Sequence, residues 1–186
     1  MSNKINSSFE NPIDKILLRL VDVLNPIFRA TGHTPNAITT YSFAFGLLSV
    51  FFLYTGRATL FVVFLFLSYL MDCLDGSFAR KYNMVTQLGD VYDHVTDFVV
   101  MSLFAMLLYH RVSLSVGLLV AGAALLMCCH LGCQQRNCTA GACGDGELLD
   151  SFKCLCPDAR WIRLTKYFGS GTFFTGLAIL GVCHVR

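Results

Sequence analysis

Four aspartates between positions 72 and 97 are the residues of this 186-residue chain best placed to do chemistry. Asp72 and Asp75 are three residues apart, and Asp93 and Asp97 are four apart, so on helices each pair shares one face. Their surroundings are strongly apolar, and an ionisable group in a membrane-spanning segment is a functional-site candidate by default. Four carboxylates cannot stay ionised together in such surroundings without compensating charge, and Arg80 alone is insufficient. The pattern therefore predicts bound cations.

The type of ligand atom selects the kind of cation. Carboxylate oxygens prefer hard divalent ions such as Mg²⁺, Mn²⁺ or Ca²⁺ over zinc or copper. Two such ions would neutralise four carboxylates, and paired ions suit phosphoryl chemistry because they stabilise both the attacking and the leaving oxygens. Gly76 and Ala79 continue the first acidic stripe with almost no side chain, and Gly89 begins the second stripe. These small residues predict room for a nucleotide or diphosphate beside the metals.

Runs without charged residues locate the helices that carry these groups. Three runs are long enough to cross a membrane, which takes about 20 residues: 30–56, 112–135 and 167–185. Two shorter runs, 58–71 and 98–109, reach that length only if the acidic segments beside them are helical too. The chain is 55% hydrophobic and 14% charged. We therefore predict an all-α, polytopic membrane bundle with about five transmembrane helices.

The rest of the chain completes the predicted domain organisation. Residues 1–12 form a polar tail without the apolar core of a signal peptide. Residues 13–29 carry their apolar side chains at helical spacing, which favours an amphipathic helix in the membrane interface, bent or broken at Pro26. An ordinary packed amphipathic helix is the alternative. Residues 30–186 form the transmembrane catalytic domain, with a Cys-rich loop at about 133–160.

The basic residues predict the orientation. Most of the 14 lysines and arginines lie before the first span, between the second and third spans, or between the fourth and fifth. By the positive-inside rule, the N-terminus and the acidic site of this integral membrane protein face the cytosol. The membrane would be an endomembrane such as the endoplasmic reticulum in a eukaryote. The net charge of +2 is too small to indicate a nucleic-acid partner.

The aspartates and small residues together form the pattern D-x2-D-G-x2-A-R-x8-G-x3-D-x3-D, from Asp72 to Asp97. This pattern resembles the signature of the CDP-alcohol phosphotransferase family at every fixed position and spacing. Upstream, the segment T-P-N-A-I-T at 34–39 is similar to the family's P-N-x-I-T entry to its first span. The resemblance covers about residues 13–131. It implies a phospholipid-synthesis enzyme in which an alcohol hydroxyl attacks a phosphorus of a CDP-linked substrate and CMP leaves.

The resemblance also implies roles for the matched residues. Asp72, Asp75 and Asp93 would bind two Mg²⁺ or Mn²⁺ ions, and Asp97 would be a further ligand or the base that deprotonates the alcohol. The implied nucleotide-binding residues are Asn36, Thr39, Asp72, Gly76, Ala79 and Arg80. The expected partners are the CDP-linked substrate, the acceptor alcohol and membrane lipids, without nucleic acid. Family members often dimerise, so a homodimer is a further expectation.

Two substrate pairs stay open. Asp90 and His94 are four apart, so the carboxylate could orient the imidazole as a general base, which resembles the acid–histidine pair of choline and ethanolamine phosphotransferases. Those enzymes transfer from CDP-choline or CDP-ethanolamine to diacylglycerol. A purely structural role for His94, solvated or hydrogen-bonded at the helix end, is equally open. The sequence G-S-F-A-R-K-Y-N, with V-T-D, is similar to eukaryotic phosphatidylinositol synthases, which favours CDP-diacylglycerol and a polar alcohol such as inositol. Those synthases usually have Arg where this chain has Phe98.

Functions of a different class are less favoured. A catalytically inactive binding or scaffolding relative would keep the fold and lose a ligand residue, whereas here the whole signature is retained. A carboxylate-lined ion pathway would have no use for Gly76 at its fixed position.

Five of the nine cysteines crowd the Cys-rich loop: Cys133, Cys138, Cys143, Cys154 and Cys156. The predicted topology puts this loop in the cytosol, so we expect reduced thiols or a lipidation target. A zinc site of four cysteines with His130 is the alternative, although the spacing matches no common zinc module. The sequon Asn137-Cys138-Thr139 should stay unglycosylated on the cytosolic side.

Overall fold

The computed structural model of the protein describes residues 9–109, 111–138 and 151–184. Its long helices are α1 (Pro12–Ala30), α2 (Pro35–Tyr54), α3 (Ala58–Lys81), α4 (Gln87–Tyr109) and α5 (Leu114–Arg136). Short helical turns then lead to the last helix, α6 (Ser170–His184); they are Phe152–Leu155, Ala159–Trp161, Ile162–Thr165 and Lys166–Phe168. No strand occurs in these described ranges, and the predicted all-α class is confirmed.

Four of the helices, α2 to α5, are long and apolar enough to cross a membrane. The two short uncharged runs do extend into the acidic segments, because α3 continues to Lys81 and α4 begins at Gln87. The predicted fifth span is shorter than expected within the described residues. Gly169 adopts an extended backbone, and α6 has only 15 residues, about 22 Å of helix against about 30 Å of hydrocarbon. The number of spans is therefore close to five, with four clear candidates.

The core lies where α2, α3 and α4 pack together with α6. Gly46 brings α2 close to α4, because a Cβ there would lie 2.8 Å from Val100 Cγ2. At one end of α6, the Phe174 ring stacks on Tyr69 of α3, with ring centroids 4.4 Å apart. At its other end, Gly181 packs on the Phe61 ring. Helix α6 therefore runs antiparallel along the first half of α3.

Helix α1 packs along the second half of α3, where the first two aspartates lie. It begins after Asn11, whose side chain accepts a hydrogen bond from the Ile13 amide. Val21 is buried in a cluster with residues of α3, whereas other apolar side chains of α1 are exposed: Ile16, Leu20, Val23 and Ile27. Of the predicted bend or break at Pro26, the break does not occur, because the helix continues through this residue to Ala30.

Local sequence explains how the hairpin between α3 and α4 forms. The connection spans residues 82–86, and Asn83 has a φ of 54°, in the left-handed region that asparagine tolerates better than most residues. This turn sends α4 back along α3, so the two acidic stripes face each other.

Local sequence also specifies the start of α2. Thr34 caps the helix by accepting from the Ala37 amide, and Pro35 occupies the first turn, where its missing N–H costs nothing.

The Cys-rich loop contradicts one expectation. Cys133 at the end of α5 forms a disulfide with Cys156, so the prediction of reduced thiols is wrong for this pair. The turn Phe152–Leu155 folds back on α5 and brings the two Cα atoms to 5.1 Å, a distance that a disulfide can bridge. Cys154 keeps an exposed free thiol. Cys143 and Thr139 lie outside the described residues.

The structure gives no support to the alternative zinc site among the described cysteines. The buried His130 uses both ring nitrogens within the protein, Nδ1 with Thr165 Oγ1 at 3.2 Å and Nε2 with the Gln134 side-chain amide at 3.0 Å. Cys133 is held in the disulfide. Among the described residues, the group of potential metal ligands that the fold brings together is formed by aspartates, not by cysteines.

Candidate active site

Three of the four aspartates converge between α3 and α4. Asp72, Asp75 and Asp93 each offer a carboxylate oxygen, and these three oxygens lie within 4.8 Å of one another. The spacing of three residues on α3 and the hairpin turn produce this arrangement. Asp97 is not part of the group; it lies one turn further along α4, on an exposed position. The structure thus brings together three predicted ligands and leaves the fourth at their edge.

Asp75 is held in place by a residue of α2. The Thr39 hydroxyl donates a hydrogen bond of 2.6 Å to Asp75 Oδ2, and both side chains are buried. The family resemblance implied that Thr39 contacts the nucleotide. In the structure its hydroxyl instead contacts Asp75, a predicted metal ligand. Partners of this kind orient ligating carboxylates and are part of many metal sites.

An unpartnered oxygen shows that these residues fit a cation. Asp93 Oδ1 is buried and has no hydrogen-bond partner among the described residues. Most buried polar atoms are partnered, so such an atom needs an explanation. Beside two further carboxylates, it belongs to an all-oxygen donor set, which is the set that Mg²⁺ and Mn²⁺ prefer.

A cleft lies beside these carboxylates, between α2, α3 and the start of α4. Five of the six predicted nucleotide-binding residues line it: Asn36, Thr39, Gly76, Ala79 and Arg80. The sixth, Asp72, is not among the lining residues. Sequence reasoning missed Met84, Val85 and Thr86, which line the cleft from the hairpin turn. The fixed interval of eight residues between Arg80 and Gly89 was the available signal, because it fixes the length of this turn.

The two signature glycines permit close approaches within the cleft. A Cβ at Gly76 would lie 3.2 Å from Arg80 Nη1, so the guanidinium lies over this position. A Cβ at Gly89 would lie 3.0 Å from Asn36 Oδ1 and 2.9 Å from Thr86 Oγ1. The first glycine therefore makes room for a cationic side chain, and the second lets the first turn of α2 approach α4.

His94 also lines the cleft, held by the residue one turn before it. Its Nδ1 lies 2.7 Å from the backbone carbonyl oxygen of Asp90 and 3.7 Å from the Asp90 carboxylate. A carbonyl oxygen can only accept, so Nδ1 carries the hydrogen, and Nε2 of the neutral ring is a potential proton acceptor. The predicted Asp90–His94 pair is therefore present, although His94 Nδ1 lies closer to the backbone carbonyl of Asp90 than to its carboxylate.

Comparison with known proteins agrees with this geometry. Residues 32–138 match the family described as CDP-alcohol phosphatidyltransferase. The match covers more than half of the chain, so this protein belongs to the CDP-alcohol phosphatidyltransferase family, whose members transfer phosphate-containing groups. Four of its helices are long and apolar enough to cross a membrane, which indicates an integral membrane protein.

One curated relative is the CDP-diacylglycerol--inositol 3-phosphatidyltransferase of Saccharomyces cerevisiae. It is 49% identical over 47 residues, which are 25% of this chain and 21% of the yeast protein. The match thus spans about a fifth of the length of that relative. No solved structure matches the chain.

Proposed function

We propose that this enzyme transfers the phosphatidyl group of CDP-diacylglycerol to a polar alcohol such as inositol and releases CMP. The observation that carries the proposal is the convergence of Asp72, Asp75 and Asp93 beside a cleft lined by the small residues of the signature. The identity to the yeast inositol transferase supports this choice of donor and acceptor.

Two divalent cations, Mg²⁺ or Mn²⁺, would be held by Asp72, Asp75 and Asp93, with Asp97 at their edge as a further ligand or as the base. When bound, they would neutralise negative charge that develops on the phosphate oxygens. The chain prepares this site through Thr39, which fixes the Asp75 carboxylate from α2.

The remaining steps belong to the residues of the cleft. Arg80 binds the diphosphate, and Gly76 and Ala79 admit the nucleotide. The acceptor oxygen forms a bond to the phosphorus that carries diacylglycerol, and the bond from this phosphorus to the bridging oxygen of CMP breaks. CMP leaves with that electron pair. The proton of the alcohol passes to the Asp97 carboxylate or to His94 Nε2.

The test is an assay of CMP release from membranes that contain the protein. With Mg²⁺ or Mn²⁺ and CDP-diacylglycerol, we expect CMP to appear only when a polar alcohol such as inositol is added. Asp93→Asn should lower turnover by about a hundredfold or more, because a lost metal ligand is worth several kcal/mol. The proposal would be contradicted if CMP were released from CDP-choline with diacylglycerol but not from CDP-diacylglycerol with a polar alcohol. Near-wild-type turnover in Asp93→Asn would contradict it as well.

The second candidate is transfer from CDP-choline or CDP-ethanolamine to diacylglycerol. The observation that favours it is the position of His94, which lines the cleft and has its Nδ1 held by the Asp90 carbonyl oxygen. His94→Ala separates the two possible bases. A large loss of rate with the donor still bound assigns the base to His94, whereas an unchanged rate assigns it to Asp97.

The proposed setting is an endomembrane such as the endoplasmic reticulum, with the N-terminus and the site facing the cytosol. Helix α1 would lie at the interface, where its exposed apolar side chains contact lipid; they include Ile16, Val23 and Ile27. A homodimer has no support from the fold or the comparisons and forms no part of the proposal.

A further inference from the structure

Helix α1 carries a carboxylate that connects three helices. The Tyr69 hydroxyl of α3 donates a hydrogen bond of 2.6 Å to Asp14 Oδ1, and Tyr69 is 3% exposed. The Gly171 amide, in the first turn of α6, also donates to Asp14. The Tyr69 ring in turn stacks on Phe174 of α6. Asp14 is thus the common acceptor at the junction of α1, α3 and α6.

The junction is closely packed. A Cβ at Gly171 would overlap the Asp14 carboxylate and would lie 2.8 Å from Ile13 Cβ. Burial raises the pKa of Asp14, and the hydrogen bonds from Tyr69 and Gly171 act in the opposite direction. A partly buried carboxylate is costly unless donors satisfy it, so these contacts stabilise the position of α1.

A second polar contact lies further along the same two helices. Asn25 of α1 is fully buried, and its amide Nδ2 donates to Ser77 Oγ of α3 at 3.1 Å. Its other side-chain atom, Oδ1, is buried without a partner among the described residues. Val21 and Phe28, about one turn before and after Asn25 on α1, belong to an apolar cluster. A buried amide beside such a cluster costs free energy, which among the described residues the contact to Ser77 offsets.

These two contacts bracket the metal-binding segment of α3. Tyr69 lies three residues before Asp72, and Ser77 lies two residues after Asp75. Each residue turns the helix by about 100°, so a small rotation or shift of α3 moves both carboxylates away from Asp93 on α4. Contacts on both sides of the pair prevent such a movement.

We propose that Asp14 and Asn25 are positioning residues, which hold α3 so that its two aspartates meet Asp93 in metal-binding geometry. The inference rests on the proposed function of the aspartate site. Neither residue touches the cleft, and both act through α3.

The test uses Tyr69→Phe and Asn25→Leu, which remove the hydrogen bonds of Tyr69 to Asp14 and of Asn25 to Ser77 and keep much of the side-chain volume. We expect each to raise the Mn²⁺ dissociation constant of the purified protein about two- to tenfold, measured by electron paramagnetic resonance. The Mn²⁺ concentration that gives half-maximal CMP release should rise by the same factor, with little change in KM for the CDP donor. Asp14→Asn, which keeps an acceptor oxygen, should have a smaller effect than Asp14→Ala.

Matched controls come from the same elements. Asp22→Asn changes an exposed carboxylate of α1, and Tyr54→Phe changes an exposed tyrosine of α2. Gly171→Ala should weaken Mn²⁺ binding because its Cβ displaces Asp14, whereas Gly176→Ala on the same helix points into open space. The variants Asp22→Asn, Tyr54→Phe and Gly176→Ala should bind Mn²⁺ like the wild type.

Amide hydrogen exchange across residues 70–78 gives a readout that needs neither metal nor turnover. Faster exchange in Tyr69→Phe and Asn25→Leu than in the controls supports the inference, even if one variant is too unstable to assay. Wild-type Mn²⁺ affinity and wild-type exchange in both variants would overturn it. A wild-type protein that binds Mn²⁺ but releases no CMP contradicts the proposed function, and the comparison of Mn²⁺ affinities still decides the role of Asp14 and Asn25.

Discussion

At the scale of single residues, the candidate site depends on side chains from three helices. Asp72 and Asp75 come from α3, Asp93 from α4, and the hydroxyl that holds Asp75 from α2. Each contact involves buried or half-buried groups, where a lost hydrogen bond leaves a polar atom unsatisfied. Changes of one or a few atoms should therefore have measurable effects on metal and nucleotide binding.

Thr39→Val replaces the hydroxyl that contacts Asp75 with a methyl group of similar size. A hydrogen bond to a charged group is worth about 1.5–3 kcal/mol, so the Mg²⁺ concentration for half-maximal activity should rise roughly tenfold to a hundredfold. The measurement is CMP release against Mg²⁺ concentration. Thr40→Val, at the neighbouring exposed position, is the control. Equal Mg²⁺ dependence in the two variants would remove Thr39 from the metal site.

Gly76→Leu tests the cleft as a nucleotide site. The added side chain would meet the Arg80 guanidinium, which lies over this glycine, and would fill space that the nucleotide needs. Overpacking of this kind costs about 1–3 kcal/mol, so KM for the CDP donor should rise about tenfold or more. Gly122→Leu, on α5 with open space around it, is the control. An unchanged KM in Gly76→Leu would contradict the assignment.

At the scale of helices, some features follow from local sequence and others do not. The helical extent of the acidic segments was predictable, because the uncharged runs beside them were too short to span alone. The contact of Asp14 with Tyr69 and the disulfide of Cys133 with Cys156 were not, because each joins residues far apart in sequence. The interruption at Gly169 was also missed, since a single glycine in an apolar run is compatible with a continuous helix.

Gly89→Ala tests how α2 and α4 meet at the cleft. The new Cβ would crowd Asn36 Oδ1 and Thr86 Oγ1 and push the first turn of α2 away from α4. We expect KM for the CDP donor to rise several-fold, because these residues line the cleft, with a smaller effect on Mn²⁺ affinity. Gly117→Ala, which has open space around it, should behave like the wild type. Donor binding that is equally strong in both variants would argue against this role.

At the scale of the whole molecule, charge and cysteine chemistry indicate different environments for one face of the protein. The basic residues favour a cytosolic location for the loop after α5, whereas disulfides such as Cys133–Cys156 persist mainly in oxidising compartments. The predicted orientation can be tested independently of the disulfide.

Two exposed free thiols provide that test. Cys154 follows α5, and Cys183 lies near the end of α6, at the opposite end of the bundle. In sealed membranes, a membrane-impermeant maleimide added from the cytosolic side should label Cys154 but not Cys183. The Cys154→Ser variant should lose this labelling, and Cys183→Ser should keep it. Labelling of Cys183 alone from that side would reverse the proposed orientation.

The position of α5 has a consequence for how the protein is made. This helix packs mainly against the segment 152–184 rather than against α2, α3 or α4. During synthesis, at roughly 5–20 residues per second, α1 to α4 can assemble while the last segment is still inside the ribosome. Helix α5 can join them only when its partners follow. Its incorporation is therefore a late event in biogenesis, and a chain that stops before residue 152 would leave α5 without its main contacts in the bundle.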